Sequence, residues 1–357
     1  MNRRPNPCEG AIGFVSNDKK DSSSIVNSGG NDIYGVSQKL AWAVRRLYGQ
    51  NGALAKSFLN HLRVKGLSDT RLWIYASRLV KIVEYFEARL MSATDISRVD
   101  AEEFAAQIVS KPYKAYTKHL YLLVFKKFVA YAKTGDSDNI PPEVSWLKLH
   151  QFNKAAERES RATPENLLTE DDVMKILSCA TNPRDRALLH VLFEGALRPS
   201  ELLTMRVSSV EFRDRYCVIS VHGKTGLKRI PLVLSLVPLK EWLNIHPFKE
   251  DPNAPLWLSK KSRTPILYRQ FHRILKKCVK KAGIKKNVWP YLFRHTQLTN
   301  LAKKLTESKL ALYAGWVQGS KMARRYVHFS ARDLEDIILE INSLPPHQNN
   351  ILSSEQA

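Results

Sequence analysis

Apolar residues recur at helical spacing through most of the first 134 positions of the chain. Between positions 68 and 88 they fall on one helical face: Leu72, Tyr75, Leu79, Ile82, Val83 and Phe86. This spacing predicts a helix that Ser68 or Asp69 can cap. The same period predicts a long helix over 113–134, and residues 100–103 resemble a capping box that opens a shorter helix. Residues 36–150 are therefore predicted to form a helical domain with basic faces.

The pattern changes after residue 150. Residues 151–168 are polar and aperiodic, which predicts an interdomain linker, and TEDD at 169–172 predicts the start of a new helix. Two apolar helices follow around the turn at Gly195, and residues 215–234 alternate as two strands around a turn centred on Lys224 to Gly226. Helices are predicted again at about 268–282, 290–303, 306–314, 321–326 and 331–342. The second domain is thus assigned to 169–342.

The predicted fold class is mainly α with a small β-sheet or hairpin, arranged as a helical domain followed by an α/β domain. Residues 1–35 are rich in Ser, Asn and Gly and predict a flexible arm, and residues 343–357 predict a flexible tail. A chain of 357 residues is long enough for two domains with ordinary cores.

Charge points to a polyanionic partner. Lysine and arginine number 56 against 34 acidic residues, a formal net charge of +22, and nucleic acid is the commonest partner of so basic a chain. The sequence has no run of 18 apolar residues and no apolar signal-peptide core, which predicts a cytosolic protein without membrane contact. The four cysteines are scattered singly and predict reduced thiols.

Several motifs of cofactor chemistry are incomplete. The GKT at 223–225 lacks the earlier glycine of a phosphate-binding loop and is followed by a strand. No carboxylates, histidines or cysteines have metal-ligand spacing. The sequence therefore predicts neither a metal nor another cofactor, and any phosphoryl chemistry must rely on fixed cations, a nucleophile and an acid.

Two arginines stand in unusual settings. Arg198 lies at a break between two apolar helices with Glu201 one turn later, and Arg294 lies inside the apolar run WPYLFRHT at 289–296. Arginine binds phosphate oxygens bidentately and stays charged. Taken alone, each is more often a structural ion pair than a catalyst.

Four segments occur together and in order, and they resemble the boxes of the tyrosine recombinases. GALRPSELL resembles the first arginine box, VHGKTGLKRIPL the β-hairpin with its lysine, PYLFRHTQLTNLA the HxxRH box, and LYAGWVQGSKMARRYVHFS the box that ends in the nucleophilic tyrosine. LLTEDDVMKIL is similar to the opening of that family's catalytic domain, and the preceding helices fit its core-binding domain. The resemblance covers about residues 50–340.

The resemblance implies a role for each matching position. Arg198 and Arg294 would clamp the scissile phosphate, with Glu201 supporting the first arginine. Lys224 would protonate the departing 5′ oxygen, and Tyr326 would attack phosphorus to give a 3′-phosphotyrosine. A phenol with a pKa near 10 needs nearby cations that stabilise the phenolate as it forms.

The last box holds two tyrosines and a tryptophan. Trp316 matches the position where the family has His or Trp, holding the phosphate and packing the nucleophile's helix; its alternative is plain core. Tyr313 falls inside an apolar helix, whereas Tyr326 follows two arginines. Tyr326 is therefore the predicted nucleophile.

The HxxRH box departs from the family at its first position. Tyr291 stands where the family has His, and tyrosine is a much poorer proton acceptor at neutral pH than imidazole. Activation of the nucleophile would then rely on water, on Tyr291 as a hydrogen-bond relay, or on electrostatics. His295 is expected to be a structural histidine buried behind Arg294.

The function that the resemblance implies is site-specific DNA recombination by an integrase of a mobile element. It implies double-stranded attachment sites, four protomers and a Holliday junction. A type IB topoisomerase or hairpin-forming resolvase, and a DNA-binding protein that has lost cleavage, stay open as alternatives. Arg71, Lys114 and Lys118 are candidates for DNA contacts in the first domain.

Overall fold

The structure is a computed structural model of the 357-residue chain. It describes residues 32–159, 166–223, 226–259, 263–320, 322–324, 326, 338–339 and 341–343. Within these residues, no helix is long and apolar enough to cross a lipid bilayer. The predicted N-terminal arm up to residue 31, the helix near 331–342 for the most part, and the tail after 343 lie outside the described residues.

Residues 32–159 form seven helices. They are α1 (Val36–Arg45), α2 (Gly49–Val64), α3 (Asp69–Ala88), α4 (Arg98–Ser110), α5 (Ala115–Thr134), α6 (Pro142–Ser145) and α7 (His150–Glu159). Their core is aromatic: the rings of Phe104 and Phe125 stack with centroids 4.2 Å apart, and Phe86 and Phe128 lie against them. The inward positions predicted for α3 are all buried. Apolar residues at this spacing form one stripe along the helix, and that stripe faces the core.

Two predictions in this region need correction. The capping box of α4 is formed by Ser97 and Asp100, so it begins three residues before the proposed box at 100–103. The predicted aperiodic linker contains α7, whose sequence HQFNKAAERE is rich in good helix formers and packs Phe152 on the first core. Its low overall hydrophobicity concealed it, because Phe152 and two alanines are the only apolar residues among its ten.

The remaining elements enclose a second core. The helices are α8 (Glu170–Ser178), α9 (Pro183–Glu194), α10 (Pro199–Leu203), α11 (Leu236–Asn244), α12 (Tyr268–Lys281), α13 (Pro290–Ala302) and α14 (Glu307–Ala314), and the strands are β1 (Val210–Phe212), β2 (Cys217–Gly223) and β3 (Gly226–Leu232). The strands form one antiparallel sheet in the order β1-β2-β3. The mainly α class with a small sheet is confirmed, and so are the hairpin and the capping box of Thr169 and Asp172 that opens α8.

The end of the predicted arm packs on this second core. Ile33 is buried among its residues, its carbonyl accepts the N–H of Tyr268, and the rings of Tyr34 and Tyr268 are 5.1 Å apart. The expectation that nothing before residue 36 packs is therefore wrong for 32–35. The domain boundaries themselves stay a prediction.

Glu194 fixes the hairpin against α9. Its buried carboxylate at the end of α9 accepts the N–H groups of Val233, Leu234 and Ser235 at 2.5, 2.9 and 2.8 Å, and the hydroxyl of Ser235 at 2.7 Å. A buried carboxylate is stable only when its lone pairs are filled in this way. The C-terminal end of β3 is thereby held beside the turn that leads from α9 into α10.

Candidate active site

Glu201 is the centre of the site. It lies in the first turn of α10 and is 2% exposed. Its carboxylate accepts the backbone N–H of Arg198 at 2.9 Å and the Nη1 group of the same residue at 2.5 Å. Arg198 is the N-cap residue of α10, and Pro199 at the first helical position fixes the backbone there. The guanidinium of Arg198 is thus held in one orientation.

Arg294 lies one turn into α13 and is 4% exposed. Its guanidinium donates from Nη1 to the Ala196 carbonyl at 2.5 Å and from Nη2 to the Ala314 carbonyl at 2.8 Å. Nη1 also lies 3.8 Å from Glu201 Oε2. The pKa of Arg294 is lowered to about 10, first by burial and then by the positive charge of Arg198. This side chain therefore joins α13, α14 and the α9–α10 turn at one point.

The turn that receives Arg294 is strained. Ala196 is fully buried and has φ 45°, a left-handed conformation that alanine seldom adopts. Such a conformation costs about 1–3 kcal/mol and persists only where surrounding contacts enforce it. Here the carbonyl of Ala196 is turned toward the guanidinium of Arg294.

Lys228 on β3 is a third cation at this point, and it is not among the residues predicted from the sequence. Its Nζ lies 3.0 Å from Glu201 Oε2, and its side chain is 6% exposed. The pKa of Lys228 is lowered to about 8, mainly by burial; Glu201 opposes this shift and Arg294 adds to it. The sequence does contain a signal for its burial, because Lys228 lies on the same face of β3 as the buried Ile230 and Leu232, at every second position.

Together these side chains place three cations around one carboxylate. Burial would raise the pKa of Glu201, but the charge of Lys228 and the N–H of Arg198 hold it below its ordinary value, so the carboxylate is ionised. One negative and three positive charges leave an excess of two positive charges in a largely buried cluster. Such a cluster favours an anion strongly because the local dielectric is low.

The hairpin tip borders the same cluster. A Cβ atom on Gly223 would lie 2.8 Å from Glu201 Oε1 and 3.7 Å from Arg198 Nη1, so only glycine fits there without displacing the carboxylate. Gly223 pairs with Gly226 across the turn. Lys224, the predicted acid, lies between them and outside the described residues.

Tyr326 is 2% exposed and packs with Ala196, Leu298 and Leu310. Its hydroxyl oxygen lies 2.6 Å from Nδ1 of His295. Its ring stacks on the His295 ring at 5.8 Å and on Trp316 at 5.3 Å, with interplanar angles of 24° and 21°. The expectation that His295 is buried behind Arg294 is wrong: His295 is half-buried and contacts the predicted nucleophile.

Trp316 connects the nucleophile to the cations. The guanidinium carbon of Arg294 lies 5.7 Å from the centroid of the Trp316 ring, whose stacking partner is Tyr326. A cation over an indole face is stabilised by the ring quadrupole. The structure therefore brings Arg198, Glu201, Arg294, Trp316 and Tyr326 into one continuous group.

Tyr291 and Tyr313 occupy different surroundings. Tyr291 is 40% exposed at the start of α13, near Tyr34 and Tyr268. Tyr313 donates its hydroxyl to the Glu194 carbonyl at 2.5 Å, and burial raises its pKa. Its hydroxyl is thus engaged in the core beneath the site, which leaves Tyr326 as the better placed of the two tyrosines in this box.

The three candidate DNA contacts lie among the first seven helices, separate from this cluster. Arg71 is exposed in the first turn of α3, and Lys114 is exposed at the N-cap of α5. The ammonium of Lys118 donates a hydrogen bond to the Val109 carbonyl at 2.7 Å. Its charge is therefore partly used within the protein.

The described residues thus combine a mainly helical fold and a three-stranded sheet with two arginines on one carboxylate and a tyrosine stacked on Trp316. Residues 166–332 match the model of the phage integrase family. This segment thus matches the model of that family, and the resemblance seen in the sequence is confirmed.

Known relatives agree with this assignment. The chain is 25% identical to tyrosine recombinase XerA of Pyrococcus horikoshii over 258 residues, which are 71% of this chain and 81% of XerA. The fold is similar to XerH recombinase bound to its palindromic difH substrate (TM-score 0.60, 19% identity, 87% of this chain and 96% of that one). It is also similar to a lambda integrase tetramer bound to a Holliday junction (TM-score 0.60, 17% identity, 77% and 76%).

Proposed function

We propose that the protein is a site-specific DNA recombinase of the integrase type, which cuts and rejoins DNA through a 3′-phosphotyrosine. The observation that carries the proposal is the largely buried group of Arg198, Lys228 and Arg294 around Glu201, joined through Trp316 to Tyr326. A group of fixed cations next to a phenol suits a reaction in which a phosphodiester gains negative charge.

The cations act on the phosphorus centre. A phosphodiester carries one negative charge, and attack by an oxygen nucleophile adds a second in the five-coordinate transition state. Guanidinium groups already fixed by Glu201, Ala196 and Ala314 stabilise that charge without reorganising. Each fixed donor of this kind is worth about 10²–10³ in rate.

Tyr326 is the proposed nucleophile. The bond from its Oη to phosphorus forms while the bond to the 5′ oxygen breaks, and the 5′ oxygen leaves as a hydroxyl. Following the resemblance, Lys224 supplies that proton. The phosphotyrosine keeps the energy of the phosphodiester, so a 5′ hydroxyl of a second strand can reverse the step without ATP.

The proposed partner is double-stranded DNA at an attachment site. The net charge of +22 supplies the sequence-independent attraction to phosphate. The helices before residue 150, with Arg71, Lys114 and Lys118, form a DNA-binding domain in addition to the domain that carries the site. By analogy with the lambda integrase tetramer on a Holliday junction, four protomers would exchange strands between two duplexes. The reaction would take place in the cytoplasm, on mobile-element DNA.

The test is capture of DNA that becomes covalently attached. Duplexes with a random central segment are incubated with the protein, denatured and selected for attachment over several rounds. We expect one sequence family to be enriched and the adduct to disappear in Tyr326→Phe. The matched control is Tyr313→Phe, which removes a hydroxyl from the other tyrosine of the same box and should leave the adduct intact.

Two results would overturn the proposal: no adduct after enrichment, or an adduct that persists in Tyr326→Phe. The first would leave a DNA-binding protein without cleavage. Strand exchange between two labelled duplexes of the enriched sequence, compared with relaxation of a plasmid that lacks it, then separates a recombinase from a topoisomerase or hairpin resolvase.

A further inference from the structure

The contact between Tyr326 and His295 has the geometry of a hydrogen bond on the reacting atom. The distance from Oη to Nδ1 is 2.6 Å, and the two rings are nearly parallel. Because Trp316 also stacks on the Tyr326 ring, the phenol is held in one orientation by two rings. The hydroxyl that must lose a proton thus already contacts an imidazole nitrogen.

We propose that His295 is the proton acceptor for Tyr326 in the cleavage step. This proposal rests on the function proposed above. As Oη bonds to phosphorus, its proton passes to Nδ1 and the P–O bond to the 5′ oxygen breaks; Lys224 protonates the departing oxygen. In rejoining, the imidazolium returns the proton to Oη as the phosphotyrosine bond breaks.

The chemistry of the two groups requires such an acceptor. With a pKa near 10 for a free phenol, only about one tyrosine in a thousand is ionised at pH 7. An imidazole has a pKa near 6.5 and is mostly able to accept a proton at this pH. A base within hydrogen-bond reach contributes about 10²–10⁴ in rate.

Tyr291 cannot act as this proton acceptor. It stands where the resemblance implies a histidine, but its side chain is a phenol, which is a poor proton acceptor at neutral pH. It is also 40% exposed at the start of α13. The residue directly after Arg294 supplies the imidazole instead. The imidazolium also adds a positive charge beside Arg294, close to the phosphorus centre as that centre gains negative charge.

The experiment measures single-turnover cleavage of a nicked suicide duplex built from the enriched sequence. His295→Gln keeps a group that can hydrogen-bond Tyr326 but has no basicity, and His295→Ala leaves room for added imidazole. We expect both variants to cleave about 10²–10⁴-fold more slowly than the native protein. Imidazoles of increasing basicity should rescue His295→Ala progressively, because the rate of proton transfer follows the strength of the base.

A second substrate separates the two ends of the reaction. With sulfur in place of the bridging 5′ oxygen, the leaving group is a thiolate whose pKa of about 8.5 removes the need for an acid. We expect Lys224→Ala to recover on this substrate and His295→Gln to stay slow.

Three outcomes would overturn the role of His295. They are cleavage by His295→Gln within about threefold of the native rate, its recovery on the sulfur substrate, and rescue that is independent of imidazole basicity. The first would mean that His295 only holds the phenol in place. Absence of an adduct in the native protein would instead refute the proposed function itself.

Discussion

Replacing Lys228 with methionine should stabilise the protein while it impairs cleavage. The pKa of Lys228 falls from 10.5 to about 8, so the fold disfavours its charged form. At ~1.36 kcal/mol for each pKa unit, keeping the ammonium charged at pH 7 costs about 3 kcal/mol. Methionine has a stem of similar length, which can fill the space of the lysine stem beside Gly315, where an added Cβ atom would lie 3.0 Å from Lys228 Cδ.

An opposing effect must be weighed against this gain. Breaking a buried ion pair usually destabilises a protein by about 3–5 kcal/mol, because one charge is left without a partner. Glu201 is not left alone here, since it still accepts two hydrogen bonds from Arg198 and lies 3.8 Å from Arg294. The free energy gained by removing the buried ammonium of Lys228 should therefore exceed the free energy lost with its ion pair to Glu201.

The pH dependence gives the sharper test. Below pH 8 Lys228 carries its proton in both folded and unfolded states, and the full cost is present. Between pH 8 and 10.5 the folded state releases the proton first, so the unfolding free energy of the native protein rises. The advantage of Lys228→Met should be about 3 kcal/mol at pH 7 and shrink to about 1 kcal/mol at pH 9.5.

Urea unfolding followed by circular dichroism measures this difference. The matched control is Arg229→Met, the next residue on β3, which removes one positive charge from an exposed pair with Glu211 and should change stability by less than about 1 kcal/mol. Cleavage by Lys228→Met should fall about 10²–10³-fold. Destabilisation by Lys228→Met, or an advantage that does not change with pH, would refute the reasoning.

Three other substitutions probe the same site. Glu201→Gln leaves the buried Lys228 and Arg294 and the partly buried Arg198 without their carboxylate and should lower the unfolding free energy by about 3–5 kcal/mol in urea titrations; a loss under 1 kcal/mol would contradict the central role given to it. Arg294→Lys cannot donate to both the Ala196 and Ala314 carbonyls from a planar fork, and we expect adduct formation to fall about 10²–10³-fold, whereas an unchanged rate would exclude the clamp. Tyr291→Phe should slow single-turnover cleavage by about 10–10²-fold, the worth of one hydrogen bond to a charged phosphate, and Tyr291→His should cleave at least as fast as the native protein; equal rates for Phe and the native residue would show that the hydroxyl has no part.

Elements with a strong local signal could be predicted from the sequence. The apolar period of α3, the capping box at Thr169 and the alternation in β2 and β3 depend on residues close together in the chain. Elements without such a signal were missed. Strand β1 has three residues and exists through its pairing with β2, and the only apolar residues of α7 are Phe152 and two alanines.

The site divides in the same way. The order of the boxes around Arg198, Arg294 and Tyr326 is visible in the sequence, because each box has its own residue types and spacing. The resemblance does not mark Lys228, which enters the site only because β3 turns it inward toward Glu201. His295 was expected behind Arg294, and its contact with Tyr326 depends on how the chain after α14 returns to α13.

The sequence by itself determined the elements with strong periods, the excess positive charge and the family, since these depend on residue type and on spacing along one dimension. The tertiary structure alone decided which charges share a carboxylate and which nitrogen contacts the phenol. Ion pairs and hydrogen bonds act over a few ångströms, and the residues that form them here come from α10, β3, α13 and the segment after α14. Their meeting depends on the packing of those elements, which no local pattern records.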